Sequence, residues 1–285
     1  MGGLGNQLFQ YALGRHLAHL NNAELFFDLS YLQNPPEGNT PREFELDKFQ
    51  ISYKIADEKL LDRFHGCEFD STELWITKLI TLGKFKKYKF NDYGFNDEVL
   101  KLRGNYFVRG FFQSEKYFKD VADVIREELV LLPEYHACDA SLCNEIKANT
   151  KSVSVHIRRG DYVKNLASMD AHGICSKDYY AKSIKYIQEQ IGVDAHFYIF
   201  TDDSEWVKKE MNWKADVTLL DDQKAIYDFH LMSLCKHNII ANSTFSWWSA
   251  WLNKNPEKTV IIPKQWTPML QTVKIDLAPK NWLVK

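Results

Sequence analysis

Hydrophobic and polar residues alternate along several short stretches in the second half of the chain. The clearest stretch places Val153, Val155 and Ile157 at every second position, which is the period of a β-strand with two unlike faces. Helical segments separate the predicted strands, and this alternation predicts a parallel sheet with crossover helices. Strands are predicted at 152–158, 196–201, 217–220, 238–241 and 259–262, with helices opened by Ser176 and Asp202, a helix at 224–236 and one from about Phe245.

The chain starts with a glycine-rich segment that leads into a helical pattern. The segment from Gly2 to Gln7 precedes hydrophobic residues at helical spacing, and the N–H groups of such a helix start favour an anion such as phosphate. A plain N-terminal turn is the alternative interpretation. A strand normally precedes a loop of this kind, so we expect that the chain was trimmed or that its start was assigned late.

The rest of the first half shows weaker patterns. Strands are predicted at 23–29 and 105–112, and a loop rich in Pro, Gly and Asn at 34–41. Short helices are predicted between 55 and 101, Ser114 is predicted to cap a further helix, and a polar helix at 135–149 is interpreted as a bridge. With a length of 285 residues, the chain is expected to form two domains, 1–148 and 149–285.

The composition is that of an ordinary globular protein and argues against several classes. Of the residues, 45% are hydrophobic and 26% are charged, and the net charge is −2, whereas a dedicated nucleic-acid binder usually carries a strongly basic balance. Five cysteines without a Cys-x-x-Cys spacing indicate neither a disulfide framework nor a zinc site. The longest nearly uncharged run is too short and polar to span a bilayer, and no signal peptide is evident. We therefore expect a cytoplasmic protein without a transmembrane segment.

Two side chains of the strand at 152–158 are candidates for chemistry. With a period of two, His156 and Arg158 project from the face opposite the apolar residues. The carboxyl end of such a strand faces the ligand crevice in parallel α/β sheets, so a cation there is placed for an anionic substrate group. The alternative interpretation is that Arg158 and Arg159 form a structural salt-bridge network with Asp161.

Two aspartates follow the predicted strand at 196–201. Asp202 and Asp203 are interpreted first as helix caps and second as metal ligands. The sequence contains no two aspartates separated by one residue, the pattern with which many transferases hold a nucleotide-bound cation. We therefore predict no metal site, and expect arginine and N–H groups to neutralise any bound diphosphate.

The segment 242–248 combines small hydroxyl residues with the start of a helix. Ser243 and Thr244 stand between a buried strand and this helix, where side chains and helix N–H groups bind a phosphate together. A good helix cap is the alternative interpretation. Asp228 lies one turn into the preceding helix. One interpretation is that it caps the helix or is solvated. The alternative is that it is a buried carboxylate beside the edge of a base.

Four blocks of this sequence resemble the motifs of the bacterial α-1,2-fucosyltransferases. They occur in order and at the expected spacing, and the similarity covers essentially the whole chain. The His-x-Arg-Arg block is also similar to one in α-1,6- and protein O-fucosyltransferases. The resemblance implies a GT-B architecture, an α/β fold in which two Rossmann-like domains face each other across a cleft. The blocks are Gly3-Leu4-Gly5-Asn6-Gln7, His156-Ile157-Arg158-Arg159-Gly160-Asp161, Phe200-Thr201-Asp202-Asp203 and Asn242-Ser243-Thr244-Phe245-Ser246-Trp247-Trp248.

The resemblance also implies a role for each matching residue. Arg158 would contact the β-phosphate and stabilise the departing GDP, while His156 and Asp228 would contact the guanosine. Asp161 and His230 are candidates for the general base, which is alternatively supplied by the N-terminal domain. The remaining donor-binding residues are Ser243, Thr244 and Phe245 for the diphosphate, and Gly5 and Asn6 of the N-terminal domain for the fucose phosphate.

The implied activity is inverting transfer of L-fucose from GDP-β-L-fucose to the 2-hydroxyl of a β-galactoside, in the synthesis of cell-surface glycans or O-antigen. GDP-fucose is the co-substrate, and no other cofactor is implied. Acceptor recognition is expected in 34–93 and 164–175. The alternatives are another nucleotide-sugar or sulfuryl-type transferase with the same arginine, and a non-catalytic glycan- or nucleotide-binding module.

A basic patch at Lys84, Lys86, Lys87 and Lys89 is either a solvated face or a surface for an anionic glycan or membrane headgroups.

Overall fold

The chain divides into two compact units in the computed structural model. They comprise Met1–Val130 and Leu131–Lys285. The structure describes residues 1–37, 40–64, 85–90, 93–136, 140–160, 173–221 and 224–285.

The helix that sequence analysis places before the domain boundary belongs to the second unit. This helix, Ala140–Ala148, buries Cys143 and Ile146. Both side chains pack in one core cluster with Leu231 and Met232. In the sequence, the many polar residues of this helix are typical of a linker. In the structure, its few buried residues pack into the core of the second unit. The two units therefore divide at 130/131 rather than at 148/149.

Among the described residues, the first unit contains one long helix and two pairs of short strands. The helix Leu4–Asn21 begins directly after Gly3 and buries an apolar side that includes Leu8 and Phe9. Its strands pair in parallel, β1 with β2 and β3 with β4. The strands are β1 (Phe26–Phe27), β2 (Lys54–Ile55), β3 (Phe85–Lys89) and β4 (Asn105–Arg109), and the shorter α-helices are Ser30–Gln33, Glu58–Asp62 and Ala122–Glu128.

The structure differs from the predictions for this half in its strands and in one helix. The strand predicted at 23–29 is reduced to β1, and β3 lies where only short helices were predicted. Lys86, Lys87 and Lys89 are in β3, which pairs only with β4 among the described residues. Lysines are typical of unpaired strand edges, which they protect from further pairing. Ser114 does cap the chain that follows, but the first turns after it are 3₁₀ and the α-helix starts only at Ala122.

A partly open cavity of about 680 Å³ lies in the first unit. One side is a stripe of the long helix with helical spacing, and the other sides include residues of β1, β3, β4 and the helix Glu58–Asp62. Met1 lies at its wall, where burial lowers the pKa of the terminal ammonium group. The helix residues that line the cavity are Gln10, Leu13, Gly14, Leu17, Ala18 and Asn21.

The second unit is built on one six-stranded sheet in which every pairing is parallel. The strand order is β12-β9-β8-β5-β6-β7, so the predicted α/β fold is confirmed. The short strands β10 (Gln265–Thr267) and β11 (Leu270–Gln271) form a separate antiparallel pair. The strands of the large sheet are β5 (Ser152–Ile157), β6 (His196–Thr201), β7 (Asp216–Leu220), β8 (His237–Ile239), β9 (Val260–Ile262) and β12 (Leu283–Val284).

Helices connect the strands of the large sheet, much as the hydrophobic pattern predicts. The helix Lys177–Ile191 is capped by Ser176, whose side chain accepts a hydrogen bond from the N–H of Tyr179. The other connecting helices are Ser204–Glu210, Ala225–Leu234 and Thr244–Leu252.

The central strand β5 is buried on both faces. Val153, Val155 and Ile157 pack into one core cluster with the helix Lys177–Ile191. On the opposite face, Ser154 accepts a hydrogen bond from the amide of Asn238 at 2.7 Å. Full burial is expected for a central strand of a parallel sheet that helices cover on both sides.

The order of the strands creates a switch point beside β5. From β5 the chain continues to β6 and β7 on one side, and it then returns to place β8 and β9 on the other side. Connections that leave in opposite directions open a crevice at the carboxyl ends of β5 and β8, which is where α/β sheets bind ligands. Within the described part of the chain, no helix is long and apolar enough to cross a membrane.

Candidate functional site

The turn after β5 is held by a carboxylate from the end of β6. Asp202 Oδ1 accepts hydrogen bonds from the backbone N–H groups of Arg159 at 2.8 Å and Gly160 at 2.9 Å. Asp202 Oδ2 lies 2.8 Å from Nη1 of Arg158. A Cβ atom at Gly160 would lie only 3.0 Å from Asp202, so the close approach of the two segments favours glycine. Asp202 therefore organises the first turn of the predicted phosphate site.

This arrangement corrects the interpretation of Asp202 as a helix cap. The cap of the helix Ser204–Glu210 is Asp203, which accepts a hydrogen bond from the N–H of Trp206. The sequence shows two adjacent aspartates of equal capping propensity, and only the fold determines which one faces the turn. In the sequence, the only indication of this close contact is Gly160, because glycine has no Cβ atom and allows another segment to approach its backbone.

The two neighbouring arginines have different surroundings. Arg159 stacks on the ring of Trp206, with its guanidinium carbon 3.7 Å from the ring centroid, and pairs with Asp203 at 3.4 Å. Arg158 pairs with Asp202 at the carboxyl end of β5. A salt-bridge network therefore exists at this turn, and it uses the acidic residues after β6. Asp161, the acidic partner considered from the sequence, lies outside the described residues.

His156 is buried at the end of β5 and stays neutral. Its side chain Nδ1 has no hydrogen-bond partner among the described residues. Burial and the nearby Arg158 lower the pKa of His156 to about 4. The ring lies 5.8 Å from the ring of Phe245, centroid to centroid. A neutral imidazole with an unused ring nitrogen remains able to donate or accept a hydrogen bond to a ligand.

Asp228 presents a second buried polar atom without a partner. It lies in the first turn of the helix Ala225–Leu234, and its Oδ1 is buried and makes no hydrogen bond with the described residues. Burial raises the pKa of this carboxyl group to about 7. The next residue, Phe229, contacts Phe245 edge to face with centroids 5.4 Å apart. Phe245 thus contacts both His156 and the helix of Asp228.

The helix Thr244–Leu252 starts with amide groups at the same edge of the sheet. Ser243 occupies the cap position, but its side chain makes no cap hydrogen bond within the described part of the chain. The preceding Asn242 is buried, and its amide donates to the backbone oxygens of Gly173 and Trp266. Asn242 therefore fixes this segment, while the hydroxyl group of Ser243 is not used to cap the helix. First-turn N–H groups of a helix carry partial positive charge.

Gly5 and Asn6 lie in the first unit, in the first turn of the helix Leu4–Asn21 rather than in a loop. Asn6 accepts a hydrogen bond from the amide of Gln113 at 2.8 Å. The N–H of Leu4 donates to the carboxylate of Glu45 at 3.0 Å. A carboxylate of the protein thus already contacts the helix start that the sequence predicts as a phosphate site.

His230 is a weak base in its present surroundings. Its ring lies 4.8 Å from the ring of His136, and burial, together with the neighbouring His136, lowers the pKa of His230 to about 4. The described residues contain no group of three or more His, Cys, Asp or Glu side chains that could hold a metal ion.

Comparison with known proteins shows the family. A family model described as Glycosyl transferase family 11 matches residues 68–284. An "Alpha-1,2-colitosyltransferase" of Escherichia coli is 34% identical over 99% of this chain and 96% of its own length. The "O-antigen biosynthesis glycosyltransferase WbnK" of the same organism is 32% identical over 93% of this chain and 92% of its own length.

More distant matches are also found. The human "Galactoside alpha-(1,2)-fucosyltransferase 1" is 25% identical over 88% of this chain and 63% of the human protein. A crystal structure of POFUT1 in complex with GDP-fucose aligns with 13% identity and a TM-score of 0.45, over 92% of this chain and 95% of that chain. The matched family model and the two Escherichia coli relatives establish that the chain belongs to glycosyl transferase family 11.

Proposed function

We propose that this glycosyltransferase moves L-fucose from GDP-β-L-fucose to the 2-hydroxyl of a β-galactoside. The observation that carries the proposal is the pair of buried polar atoms, His156 Nδ1 and Asp228 Oδ1, that find no partner among the described residues. Buried polar groups are nearly always hydrogen-bonded in native proteins. Two such atoms beside a ligand crevice support a binding role.

Guanine matches what these residues offer. Its Watson–Crick edge carries N–H donors beside a carbonyl acceptor, and a carboxylate is acceptor-only when ionised. Asp228 would accept from these donors, and the neutral His156 would bond to another polar atom of the nucleoside. The ring of Phe245, which contacts both His156 and Phe229, supplies apolar surface between them.

The diphosphate would lie against the carboxyl edge of the sheet. Arg158 offers a guanidinium group there, and guanidinium is suited to donate two hydrogen bonds to phosphate oxygens. The hydroxyl groups of Ser243 and Thr244 and the amide of Phe245 would bind the same anion at the helix start. These groups together would bind the diphosphate without a metal ion, so we propose that the enzyme needs no metal.

The reaction breaks the bond between the anomeric carbon of fucose and the β-phosphate oxygen. The electron pair of this bond leaves with GDP, and the 2-hydroxyl oxygen of the acceptor attacks the opposite face of the sugar, which inverts the configuration. The hydroxyl proton passes to a general base. Arg158 would stabilise the charge that develops on the diphosphate. Asp161, His230 and a group of the first unit remain the candidates for the base.

The names of two relatives support a proposal for the acceptor and the cellular role. The human relative is named as a galactoside α-(1,2)-fucosyltransferase and WbnK as an O-antigen glycosyltransferase. We therefore propose a β-galactoside acceptor and a role in O-antigen or other cell-surface glycan synthesis. We also propose a cytoplasmic enzyme that contacts the membrane at most peripherally. Segments 34–93 and 164–175 would recognise the acceptor.

A second candidate donor is favoured by one observation. The relative with 34% identity is named as a colitosyltransferase, and colitose is fucose without its 3-hydroxyl group. The site described above binds the nucleotide and does not by itself distinguish these two sugars. The second candidate is therefore α-1,2-colitosyl transfer from GDP-colitose.

Mass spectrometry of single-turnover mixtures tests both candidates. The wild-type protein is incubated with lactose, EDTA and either GDP-fucose, GDP-colitose or UDP-galactose, and Arg158→Ala and Arg159→Ala are run in parallel. We expect a product from a GDP-sugar that persists in EDTA, forms at least about 10²-fold more slowly in Arg158→Ala and is retained in Arg159→Ala. A product from UDP-galactose alone, or one that EDTA abolishes, would contradict the proposal.

A further inference from the structure

We propose that Asp202 is a positioning residue, which holds the guanidinium group of Arg158 in the orientation that the departing diphosphate needs. This inference rests on the proposed function for its catalytic consequence. Its structural basis is independent, because it depends only on the contacts at the carboxyl ends of β5 and β6.

The two carboxylate oxygens of Asp202 contact different groups of the turn. Oδ1 accepts from the backbone N–H groups of Arg159 and Gly160 at 2.8 and 2.9 Å. Oδ2 lies 2.8 Å from Nη1 of Arg158. One carboxylate therefore fixes the backbone of the turn and the orientation of its side chain at the same time.

The surroundings restrict where this carboxylate can lie. A Cβ atom at Gly160 would lie 3.0 Å from the Cγ, Oδ2 and backbone oxygen of Asp202. The side chains of Asp202 and Arg158 are about one quarter exposed, at 25% and 26%, so the pair is shielded enough to keep its geometry. A guanidinium group has five N–H donors, so a contact with Asp202 is compatible with further hydrogen bonds to an anion.

Restricting Arg158 before the donor binds has a catalytic value. A free arginine side chain loses rotamer freedom when it binds an anion, and a group displaced by about 1 Å costs up to about 10²-fold in rate. A partner that fixes the guanidinium group in advance removes part of this cost. Asp202 acts through Arg158 in this account and does not itself contact the donor.

The substitution Asp202→Asn isolates the proposed role. The oxygen of asparagine still accepts from the two backbone N–H groups, so the turn is retained. Its NH₂ group then faces Nη1 of Arg158, where a donor opposes a donor. The matched control is Asp203→Asn, which removes the charge beside Arg159 and keeps an oxygen to cap the helix Ser204–Glu210.

The first measurement is the donor kinetics of these variants. We expect kcat of Asp202→Asn to fall about 10- to 100-fold, with a much smaller change in KM for the donor and an unchanged melting temperature. Asp203→Asn should retain wild-type kcat. In the Arg158→Ala background, Asp202→Asn should change kcat less than about twofold, because the residue that it positions is absent. Losses that multiply in the double variant would overturn the proposal.

The second measurement does not depend on the donor. In nuclear magnetic resonance spectra of ¹⁵N-arginine-labelled protein, the Nε–H signal of Arg158 should shift or broaden in Asp202→Asn and remain in Asp203→Asn. Gly160→Ala, whose added methyl group would press on Asp202, should perturb the same signal. An unchanged Arg158 signal in Asp202→Asn overturns the proposal. If the wild type turns over no GDP-sugar, the proposed function is wrong, and this spectrum alone still decides the positioning role.

Discussion

Two adjacent arginines differ in what surrounds them, and this difference gives a prediction at the scale of single residues. Arg158 pairs with Asp202 at the edge of the sheet, whereas Arg159 stacks on Trp206. We expect Arg158→Lys to lower kcat by about 10²–10³-fold with a native melting curve, because lysine offers a point charge in place of two oriented donors. Steady-state kinetics and thermal melting measure both effects.

The control for this prediction is Arg159→Lys. Lysine there loses most of the stacking on Trp206, so the variant should lose roughly 1 kcal/mol of stability and keep most of its activity. Full activity of Arg158→Lys, or equal losses of activity in the two variants, would contradict the assignment of the phosphate contact to Arg158.

Asp228 gives a prediction about stability. Burial raises the pKa of its carboxyl group from 3.8 to about 7. The folded protein therefore holds this proton more tightly than the unfolded chain. The resulting stabilisation is complete below the unfolded pKa and is lost as the pH rises through about 7. We expect Asp228→Asn to be more stable than wild type at pH 8, by roughly 1–4 kcal/mol. Denaturant unfolding at pH 5 and pH 8 measures the difference, and a less stable variant at pH 8 would contradict the account.

The same group predicts how nucleotide affinity depends on pH. If the ionised carboxylate of Asp228 accepts hydrogen bonds from guanine, the affinity for GDP should fall as the pH drops below about 7, approaching tenfold per pH unit. His156, whose pKa is about 4, should add no titration above pH 5. Asp228→Asn should bind GDP more weakly at pH 8 and keep only the shallower pH dependence that the terminal phosphate of GDP contributes, whose second pKa is about 6. A wild-type affinity that is constant between pH 5 and 8 would exclude a charged Asp228 from the contact.

At the scale of elements, the start of the helix Thr244–Leu252 allows a capping role of serine to be distinguished from a ligand-binding role. Serine at a cap position usually contributes about 1 kcal/mol, yet the side chain of Ser243 makes no cap bond in the described chain. Ser243→Ala should therefore change stability by less than about 0.5 kcal/mol and weaken GDP binding about tenfold or more. Its affinity for guanosine should be unchanged.

A second serine at a helix start provides the matched control. Ser176 does cap the helix Lys177–Ile191 through the N–H of Tyr179, so Ser176→Ala should lose about 1 kcal/mol of stability without a change in GDP affinity. Chemical denaturation and calorimetry distinguish the two serines. If both variants lose stability and neither loses affinity, Ser243 is a structural residue.

The elements of the second unit are largely predictable from the sequence, and those of the first unit are not. β5 and β6 show strong hydrophobic patterns because both lie inside a parallel sheet. β1 and β2 have two residues each, too few for a period to be visible. β3 carries three lysines, and β12 pairs with β9 near the end of the chain, so neither has the composition of a buried strand.

Residues of the candidate site can be proposed from the sequence, but their partners cannot. His156, Arg158 and Ser243 can be chosen from residue type and position at strand ends. The bond between Asp202 and the turn at Gly160 joins residues far apart in the chain, and pairings of this kind depend on strand order. The burial of Asp228 likewise results from packing between helices, which a single sequence pattern does not specify.

At the scale of the whole molecule, the two units differ in packing. In the described parts of the chain, the first contains a cavity of about 680 Å³ and strands in separate pairs, whereas the second contains a six-stranded sheet with helical layers. A cavity of this size admits water and leaves its apolar lining partly hydrated, and isolated strand pairs are marginal. We expect amides of β4 and the helix Leu4–Asn21 to exchange with solvent faster than those of β5 and β6.

Hydrogen exchange followed by mass spectrometry of peptides tests this difference. The comparison is internal, because both units are measured in the same chain and buffer. Binding of GDP should slow exchange near the carboxyl ends of β5 and β8. Equal or slower exchange in the first unit would show that the cavity does not weaken it.

The central claim is that the second unit holds a site for a guanosine diphosphate. Calorimetric titration of GDP and UDP into the wild-type protein and Arg158→Ala at pH 8 in the presence of EDTA tests it most directly. We predict that GDP binds at least about tenfold more tightly than UDP, because a mismatched base leaves buried polar atoms unpaired. We also predict that Arg158→Ala weakens GDP binding while guanosine binding is unchanged. Equal affinity for GDP and UDP, or no binding of GDP by the wild type, would contradict the account.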